Sequence, residues 1–281
     1  MKRAAAACGA LLIVSACTHG GAGGASARPL AGSALPRTRA ERTSYAETST
    51  YADVVAFIDS LQKLGVPMSR QELGRTNEGR VQPLLVLSRP QVTTPEQARA
   101  LNRPIVYVQA NIHAGEVEGK EALLALVRDL ATSQHNVLDS IVLIAIPIYN
   151  ADGNERFKPQ AVNRTEQNGP EMVGQRPNAQ MLDLNRDYVK AEAPETRASL
   201  AAFEKWNPDV FVDLHTTDGS FHGYALTYAP SLNPAARDAG AYTQDSILPE
   251  LRARMKTRDG LTCSTTATST RSTKNATSPT P

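Results

Sequence analysis

The 281-residue chain has few cysteines, few aromatic residues and almost no net charge. Its three cysteines, Cys8, Cys17 and Cys263, are too few and too scattered for a disulfide framework or a cysteine metal site. The 30 basic and 28 acidic residues leave a formal charge of +2 and form no dense basic cluster after the first three residues. This balance argues against nucleic acid as a partner. Hydrophobic residues make up 41% of the chain, an ordinary value for a folded globular protein.

The chain opens with an apolar run, Ala4 to Ala16, that is too short to span a bilayer. Two basic residues precede it, which is typical of a secretory signal, so we predict that residues 1–16 are a signal peptide. Residues 14–17, Val-Ser-Ala-Cys, resemble the lipobox of bacterial lipoproteins and predict a lipid anchor on Cys17. A plain signal peptide cut near Ala16 is the alternative. The first interpretation predicts a periplasmic or cell-envelope lipoprotein whose only membrane contact is the anchor.

Composition divides the rest of the chain into three segments. Residues 17–48 are rich in Gly, Ala, Ser, Thr and Arg without any period, which predicts a flexible tether. Residues 49–261 carry the pattern of a folded domain. Residues 262–281 contain twelve Ser or Thr residues and no apolar period, which predicts a disordered tail that contributes no element to the core.

Within residues 49–261, helical and strand-like patterns alternate. Apolar residues at helical spacing predict helices over Tyr51–Leu64, Val117–Leu130, Ala193–Trp206 and Asn233–Arg258. Continuous or β-branched apolar runs predict strands over Ile105–Gln109, Ile141–Ile148, Val210–Leu214 and Gly223–Tyr228. A hairpin is predicted between residues 72 and 87. This alternation predicts an α/β domain with three α/β/α layers, in which helices flank a mixed, mostly parallel sheet.

Two polar motifs follow predicted strands and contain residues that bind zinc in proteins. His113 and Glu116 lie between a strand end and a helix start, where Gly115 relaxes the backbone so that both side chains can face one point. Asp213 and His215 end another strand, and residues at alternate positions there face one side. Catalytic zinc takes three protein ligands from His, Glu or Asp and keeps one position open. A solvated loop is the competing interpretation of the first motif alone.

Four motifs together resemble those of the zinc carboxypeptidases, over roughly residues 50–260. They are His113-Ala-Gly-Glu116, Asn150-Ala-Asp-Gly153, Asp183-Leu-Asn185-Arg186 and Asp213-Leu-His215-Thr216. The resemblance implies the fold of that family, a zinc ion held by His113, Glu116 and His215, and hydrolysis of C-terminal peptide bonds by zinc-activated water.

The same resemblance implies roles for residues around the metal. Asn185 and Arg186 would bind the free C-terminal carboxylate of a peptide substrate, because a guanidinium donates two parallel hydrogen bonds to a carboxylate. A surface turn with a salt bridge is the alternative for this pair. Arg164 is the candidate for stabilising negative charge on the substrate oxygen, although Arg156 and Arg176 share its loop.

Two aspartates are candidates for orienting the ligand histidines. Asp183 could hold a ligand histidine through its other ring nitrogen. Asp213 is a weaker candidate for the same role.

One residue implied by the resemblance has no counterpart in the sequence. This residue is a glutamate, later in the chain, that takes a proton from water and passes it to the leaving amine. After Arg258, however, Asp259 is the only residue with a carboxylate side chain. We therefore expect a family domain truncated at its C-terminal side, with a shift of reading frame near Leu261 as one cause. Three functions stay open: a metallocarboxypeptidase, an amidase acting on peptidoglycan stem peptides, and a non-catalytic zinc- or peptide-binding lipoprotein.

Overall fold

The computed structural model describes residues 34–165, 169–216, 224, 226–228, 235, 237–259 and 263–265. The predicted signal peptide, the anchor Cys17, the tether up to residue 33 and the tail from residue 266 lie outside these residues. No helix within the described ranges is long and apolar enough to cross a membrane.

Helices and strands alternate through most of the described chain. The helices are α1 (Arg39–Arg42), α2 (Tyr51–Lys63), α3 (Pro95–Ala100), α4 (Val117–Thr132), α5 (Ala151–Asn154), α6 (Gln160–Asn163), α7 (Leu184–Asp187), α8 (Pro194–Trp206), α9 (Arg237–Tyr242) and α10 (Leu248–Asp259). The strands are β1 (Met68–Arg75), β2 (Val81–Leu87), β3 (Ile105–Ala110), β4 (Val142–Ile146), β5 (Lys158–Pro159), β6 (Met172–Val173), β7 (Val210–Leu214), β8 (Leu226–Tyr228) and β9 (Cys263–Thr265). A 3-10 turn covers Val137–Asp139, and a π-helical turn at Thr243–Ile247 joins α9 to α10.

The main sheet of the described chain has the strand order β1-β2-β4-β3-β7. Strands β1 and β2 form the predicted antiparallel hairpin, and β2 is also antiparallel to β4. Strand β3 runs parallel to both β4 and β7. The predicted α/β class with a mixed sheet is confirmed, but the described pairs are divided equally between parallel and antiparallel. Because β3, β4 and β7 run in one direction, their carboxyl ends meet at one edge of the sheet.

Helices cover both faces of this sheet. Alternate strand residues point to opposite sides. Leu85 and Leu143 belong to one apolar cluster with residues of α2 and α4. Their neighbours Val86 and Ile144 belong to a second cluster with residues of α3 and α8. The predicted three layers are therefore present.

The folded unit begins earlier than predicted, at Pro36 and not at residue 49. Thr38 caps α1 in a capping box with Glu41, and Glu41 pairs with Arg128 of α4 at 2.7 Å. The predicted tether thus contains an ordered stretch held by hydrogen bonds and ion pairs. Because these contacts leave no hydrophobic period in the sequence, the predicted boundary of residues 17–48 is too late.

The start of the predicted disordered tail also needs correction. Residues 263–265 form β9, which lies parallel to β8 with Leu226 opposite Cys263. Backbone hydrogen bonds between strands do not require apolar side chains, so a Ser/Thr-rich stretch can still pair. The prediction of disorder therefore fails for these three residues of the range 262–281.

Strand β7 forms one edge of the main sheet and carries exposed aromatic surface. Phe211 on β7 stacks on Tyr107 of β3, with ring centroids 5.5 Å apart. Phe203 on α8 packs edge-on against Phe211 at 5.6 Å. Both phenylalanines are exposed. Apolar side chains that pack on the sheet therefore reach the surface at this edge.

Candidate metal centre

Strands β3 and β7 bring the two predicted metal motifs side by side. Ala110 at the end of β3 lies opposite Leu214 at the end of β7. His113 and Glu116 follow β3 before α4 begins, and His215 follows β7 directly. Since the two strands are parallel neighbours, the residues after them emerge at the same edge of the sheet.

One nitrogen of each histidine and an oxygen of Glu116 lie within 4.8 Å of one another. His113 Nδ1 is 2.7 Å from Glu116 Oε1, and His215 Nδ1 is 3.1 Å from Glu116 Oε2. His113 and Glu116 are buried, whereas the His215 side chain is 30% exposed. The structure therefore brings the three predicted ligands to one point, with solvent access on the His215 side.

The outer nitrogen of each histidine contacts an aspartate. His113 Nε2 is 3.1 Å from Asp183 Oδ1, and His215 Nε2 is 2.9 Å from Asp213 Oδ2. Asp213, the weaker candidate from the sequence, thus makes the same kind of contact as Asp183. Such pairs fix the orientation of an imidazole and direct its other nitrogen toward a metal.

The protonation of these groups suits a cation. Burial, together with the charge of Arg176, lowers the pKa of His113 to about 4, so its imidazole is neutral at neutral pH. Burial opposes ionisation of Asp183, but hydrogen bonds from His113 and Arg176 outweigh this effect and lower its pKa. Metal ligands must be deprotonated. The neutral imidazole of His113 meets this condition, and two imidazoles with one carboxylate match the donor set of a catalytic zinc site.

Two arginines approach the same ligand carboxylate. Arg164 Nη1 is 2.7 Å from Glu116 Oε1, and the arginine side chain is only 10% exposed. Arg176 Nη1 is 3.8 Å from that oxygen and 3.2 Å from His113 Nδ1. The Arg176 side chain is 44% exposed, and its Nε donates to Asp183 at 2.9 Å. The structure therefore places both arginines at the cluster.

The third arginine of the loop lies elsewhere. Arg156 pairs with Glu78 in the turn between β1 and β2. The sequence favours Arg164, but a loop arginine has no periodic signature that would confirm the choice. The sequence therefore gives no sign that Arg176 contacts both His113 and Asp183.

The predicted carboxylate-binding pair lies on α7. Asp183 caps this helix by accepting a hydrogen bond from Asn185 N at 3.0 Å. Arg186 is exposed, and its Nη1 donates to the carbonyl oxygen of Asn185 at 3.3 Å. The helix that carries the pair is thus capped by the same aspartate that contacts His113.

A cavity of about 440 Å³ lies beside the first turn of α4. Val117, Glu118 and Glu121 line it on the helix side, and Tyr45 and Thr48 line it on the N-terminal side. None of the three clustered ligand candidates lines it. The cavity therefore adjoins the candidate metal centre without containing it.

Comparisons with known proteins find similarity in both sequence and fold. A sequence model described as zinc carboxypeptidase matches residues 54–277, which is more than half of the chain. Carboxypeptidase 2 of Trichophyton rubrum is 28% identical over 163 residues, which cover 57% of this chain and 27% of that protein. The matched part thus spans about a quarter of the length of this curated relative.

Solved structures show the same likeness at the level of the fold. The metallo-carboxypeptidase from Burkholderia cenocepacia has a TM-score of 0.50 and 24% identity, covering 69% of this chain and 48% of that one. The carboxypeptidase A from Helicoverpa armigera has a TM-score of 0.50 and 19% identity, covering 75% of this chain and 56% of that one.

Proposed function

This chain belongs to the zinc carboxypeptidase family, and we propose that it removes C-terminal residues from peptides by means of a zinc ion held by His113, Glu116 and His215. The observation that carries the proposal is the convergence of these three side chains within 4.8 Å. When bound, zinc would polarise the scissile carbonyl and activate a water molecule for attack on it.

The residues around the cluster have separate tasks in this proposal. Asp183 and Asp213 keep the two imidazoles oriented through their outer nitrogens. Asn185 and Arg186 bind the free carboxylate of the substrate, which the exposed guanidinium suits because it can donate two parallel hydrogen bonds. Arg164 stabilises negative charge on the substrate oxygen, for which it must exchange its contact with Glu116.

Zinc content and turnover test the ligand assignment. We expect His113→Ala and His215→Ala to lose most bound zinc and to release no amino acid from a blocked dipeptide with a free C-terminus. His135→Ala is the matched control, because His135 is an exposed histidine outside the cluster. Zinc is measured by atomic absorption and product by chromatography. Retention of the parental zinc content in His113→Ala would refute the proposed site.

A second pair of variants decides which arginine stabilises charge in the transition state. If Arg164 has this role, Arg164→Ala should lower kcat by about 10²- to 10³-fold while zinc content stays unchanged. Arg176→Ala should then act mainly on zinc affinity through His113 and Asp183. Arg156→Ala is the control, since Arg156 pairs with Glu78 in the hairpin turn. The reverse pattern would transfer the role to Arg176.

Zinc-dependent peptide binding without turnover is a second candidate function. It is compatible with the same cluster and with the exposed Arg186, because holding a zinc ion and a peptide carboxylate requires no proton transfer. Retention of a peptide by the zinc-loaded protein, with no amino acid released, would support binding alone. Release from muropeptides but not from ordinary peptides would identify the amidase.

Export with a lipid anchor at Cys17 is also part of the proposal. It is supported by the apolar run of residues 4–16 and the lipobox-like residues 14–17, all outside the described residues. Mass spectrometry of the mature protein should detect an acylated N-terminal cysteine. An unmodified N-terminus would instead indicate a plain signal peptide.

A further inference from the structure

Asn150 is a completely buried residue just after β4, with a relative exposure of 0%. Its backbone N–H donates to Asn111 O at 3.0 Å, which connects the ends of β4 and β3. The proposed function gives this residue no role. Its side chain nevertheless bonds to the backbone of Ile112, the residue before His113.

The amide of Asn150 makes three hydrogen bonds to three different segments. Its Nδ2 donates to Ile112 O at 3.2 Å and to Arg176 O at 3.1 Å. Its Oδ1 accepts from Gly153 N at 2.9 Å and caps α5. One planar group therefore connects the end of β3, the loop that carries Arg176, and the start of α5.

Both acceptor carbonyls belong to residues at the candidate site. Ile112 immediately precedes His113, and the Arg176 side chain lies 3.2 Å from His113 Nδ1. The turn before them is conformationally unusual, since Asn111 has φ of 65°. A non-glycine residue in this left-handed region is uncommon and depends on surrounding contacts.

The loop that carries Arg176 also packs closely on the strand ends. Ala114 N donates to Gln175 O at 3.2 Å, and Gln175 N donates to Gly153 O at 3.0 Å. A Cβ atom at Gly174 would lie only 2.7 Å from Gly153 O. The loop therefore packs closely against α5, and the hydrogen bond from Asn150 Nδ2 to Arg176 O holds its next residue.

We infer that Asn150 is a positioning residue that sets the relation between His113 and Arg176 by bonding to the backbone on both sides. The inference rests on the proposed zinc site. Removing the two amide donors leaves the carbonyls of Ile112 and Arg176 without these partners, and both segments at the cluster lose a fixed point. Loss of partners that hydrogen-bond metal ligands directly typically costs about 10- to 100-fold in metal affinity, which sets the scale for this indirect contact.

The test separates positioning from capping and from general stability. Asn150→Ser keeps a hydroxyl that can cap α5 but lacks the two amide donors. Asn150→Asp keeps the shape but turns the donor into an acceptor that repels both carbonyls. The matched control is Asn154→Ser. Asn154 is the last residue of α5, the short helix that Asn150 caps, and it is equally buried. Its amide contacts Ser49 and Lys120 and not the cluster.

Zinc affinity, measured by competition with a chromogenic chelator, is the main readout, with the melting temperature recorded beside it. We expect Asn150→Ser and Asn150→Asp to bind zinc at least about tenfold more weakly than the parent. Asn154→Ser should keep the parental zinc affinity even where its melting temperature falls. Equal zinc affinity in Asn150→Ser and Asn154→Ser would overturn the inference.

A metal-free measurement distinguishes failure of the inference from failure of the proposed function. If the parent binds no zinc, the proposed function is wrong. The positioning role of Asn150 is then tested by the hydrogen-exchange rates of the Ala114 and Gln175 backbone amides in the metal-free protein. Their protection should fall in Asn150→Ser and not in Asn154→Ser. Unchanged protection in Asn150→Ser would also overturn the inference.

Discussion

Gly115, between two ligand candidates, is packed too closely to accept a methyl group. A Cβ atom there would lie 2.4 Å from Arg164 Cδ and 2.9 Å from Gly174 O. Gly115 does not adopt a positive φ, so backbone freedom is not what the structure requires of it. The absent side chain instead lets Arg164 lie across the motif and reach Glu116.

We predict that Gly115→Ala destabilises the protein by about 1–3 kcal/mol, the usual effect of inserting a group into a packed site. It should also displace Arg164 and weaken zinc binding. Gly240→Ala is the control, because no atom lies within 4 Å of the added group on α9. This change in a helix should stabilise the protein by up to about 1 kcal/mol. Urea denaturation of both variants measures the difference, and equal stabilities would contradict the packing argument.

The role of a single residue could be predicted where an ordered sequence motif indicates that role. His113, Glu116 and His215 could be predicted because they follow strands at fixed spacings and belong to ordered motifs. Asn150 also belongs to one of these motifs, but its bonds to the carbonyls of Ile112 and Arg176, like the contact of Arg176 with His113, join segments that have no fixed spacing in the sequence. Their roles therefore became visible only in three dimensions.

Among the elements, the N-terminal segment (residues 36–49) is held to α4 by polar contacts. Glu121 Oε1 accepts from Thr48 Oγ1 at 2.9 Å and from Ser49 N at 2.6 Å. Glu121 Oε2 accepts from Ser49 Oγ at 3.0 Å. One carboxylate therefore fastens the C-terminal end of this segment.

We predict that Glu121→Gln loosens the N-terminal segment, since its amide nitrogen cannot accept the hydrogen bonds that a carboxylate oxygen accepts. A lost hydrogen bond to a charged group costs about 1.5–3 kcal/mol. Hydrogen exchange should quicken in residues 36–49, while zinc affinity stays at the parental value. Glu204→Gln, an exposed change on α8, is the control. Identical exchange in both variants would show that Glu121 does not fasten the segment.

Elements with a strong apolar period were predicted closely. Strand β7 has the predicted bounds, and α2 ends within one residue of its prediction. Short elements such as α1 and β9 were missed. Capping boxes, ion pairs and backbone pairing stabilise them, and none of these produces a hydrophobic pattern.

For the whole molecule, Lys120 is a fully buried cation that connects distant parts of the chain. Its Nζ donates to Ser49 O in the N-terminal segment and to Asn154 Oδ1 on α5. Burial lowers the pKa of Lys120 from 10.5 to about 8, although Glu121 and Glu155 act in the opposite direction. The folded protein therefore releases this proton at a lower pH than the unfolded chain.

The shift predicts a pH dependence of global stability. Between pH 8 and 10.5 the unfolded chain still holds the Lys120 proton, whereas the folded chain has released it. Because the unfolded state binds more protons in this range, Lys120 makes the free energy of unfolding increase with pH. Relative to Lys120→Met, the parent should gain up to about 3 kcal/mol across this range. Urea denaturation at several pH values measures the gain. A stability difference independent of pH would contradict the shift, and Lys63→Met, a change of an exposed lysine, is the control.

The exposed phenylalanines beside β7 favour self-association of the protein at high concentration. A strand edge that no other described strand pairs with, next to apolar rings, can recruit the same edge of a second molecule. His215 directly follows this strand, so such a dimer would form next to the candidate zinc site and restrict its access to peptides. Activity per molecule would then decline as stock solutions become more concentrated, and assays in dilute solution would report the intrinsic rate.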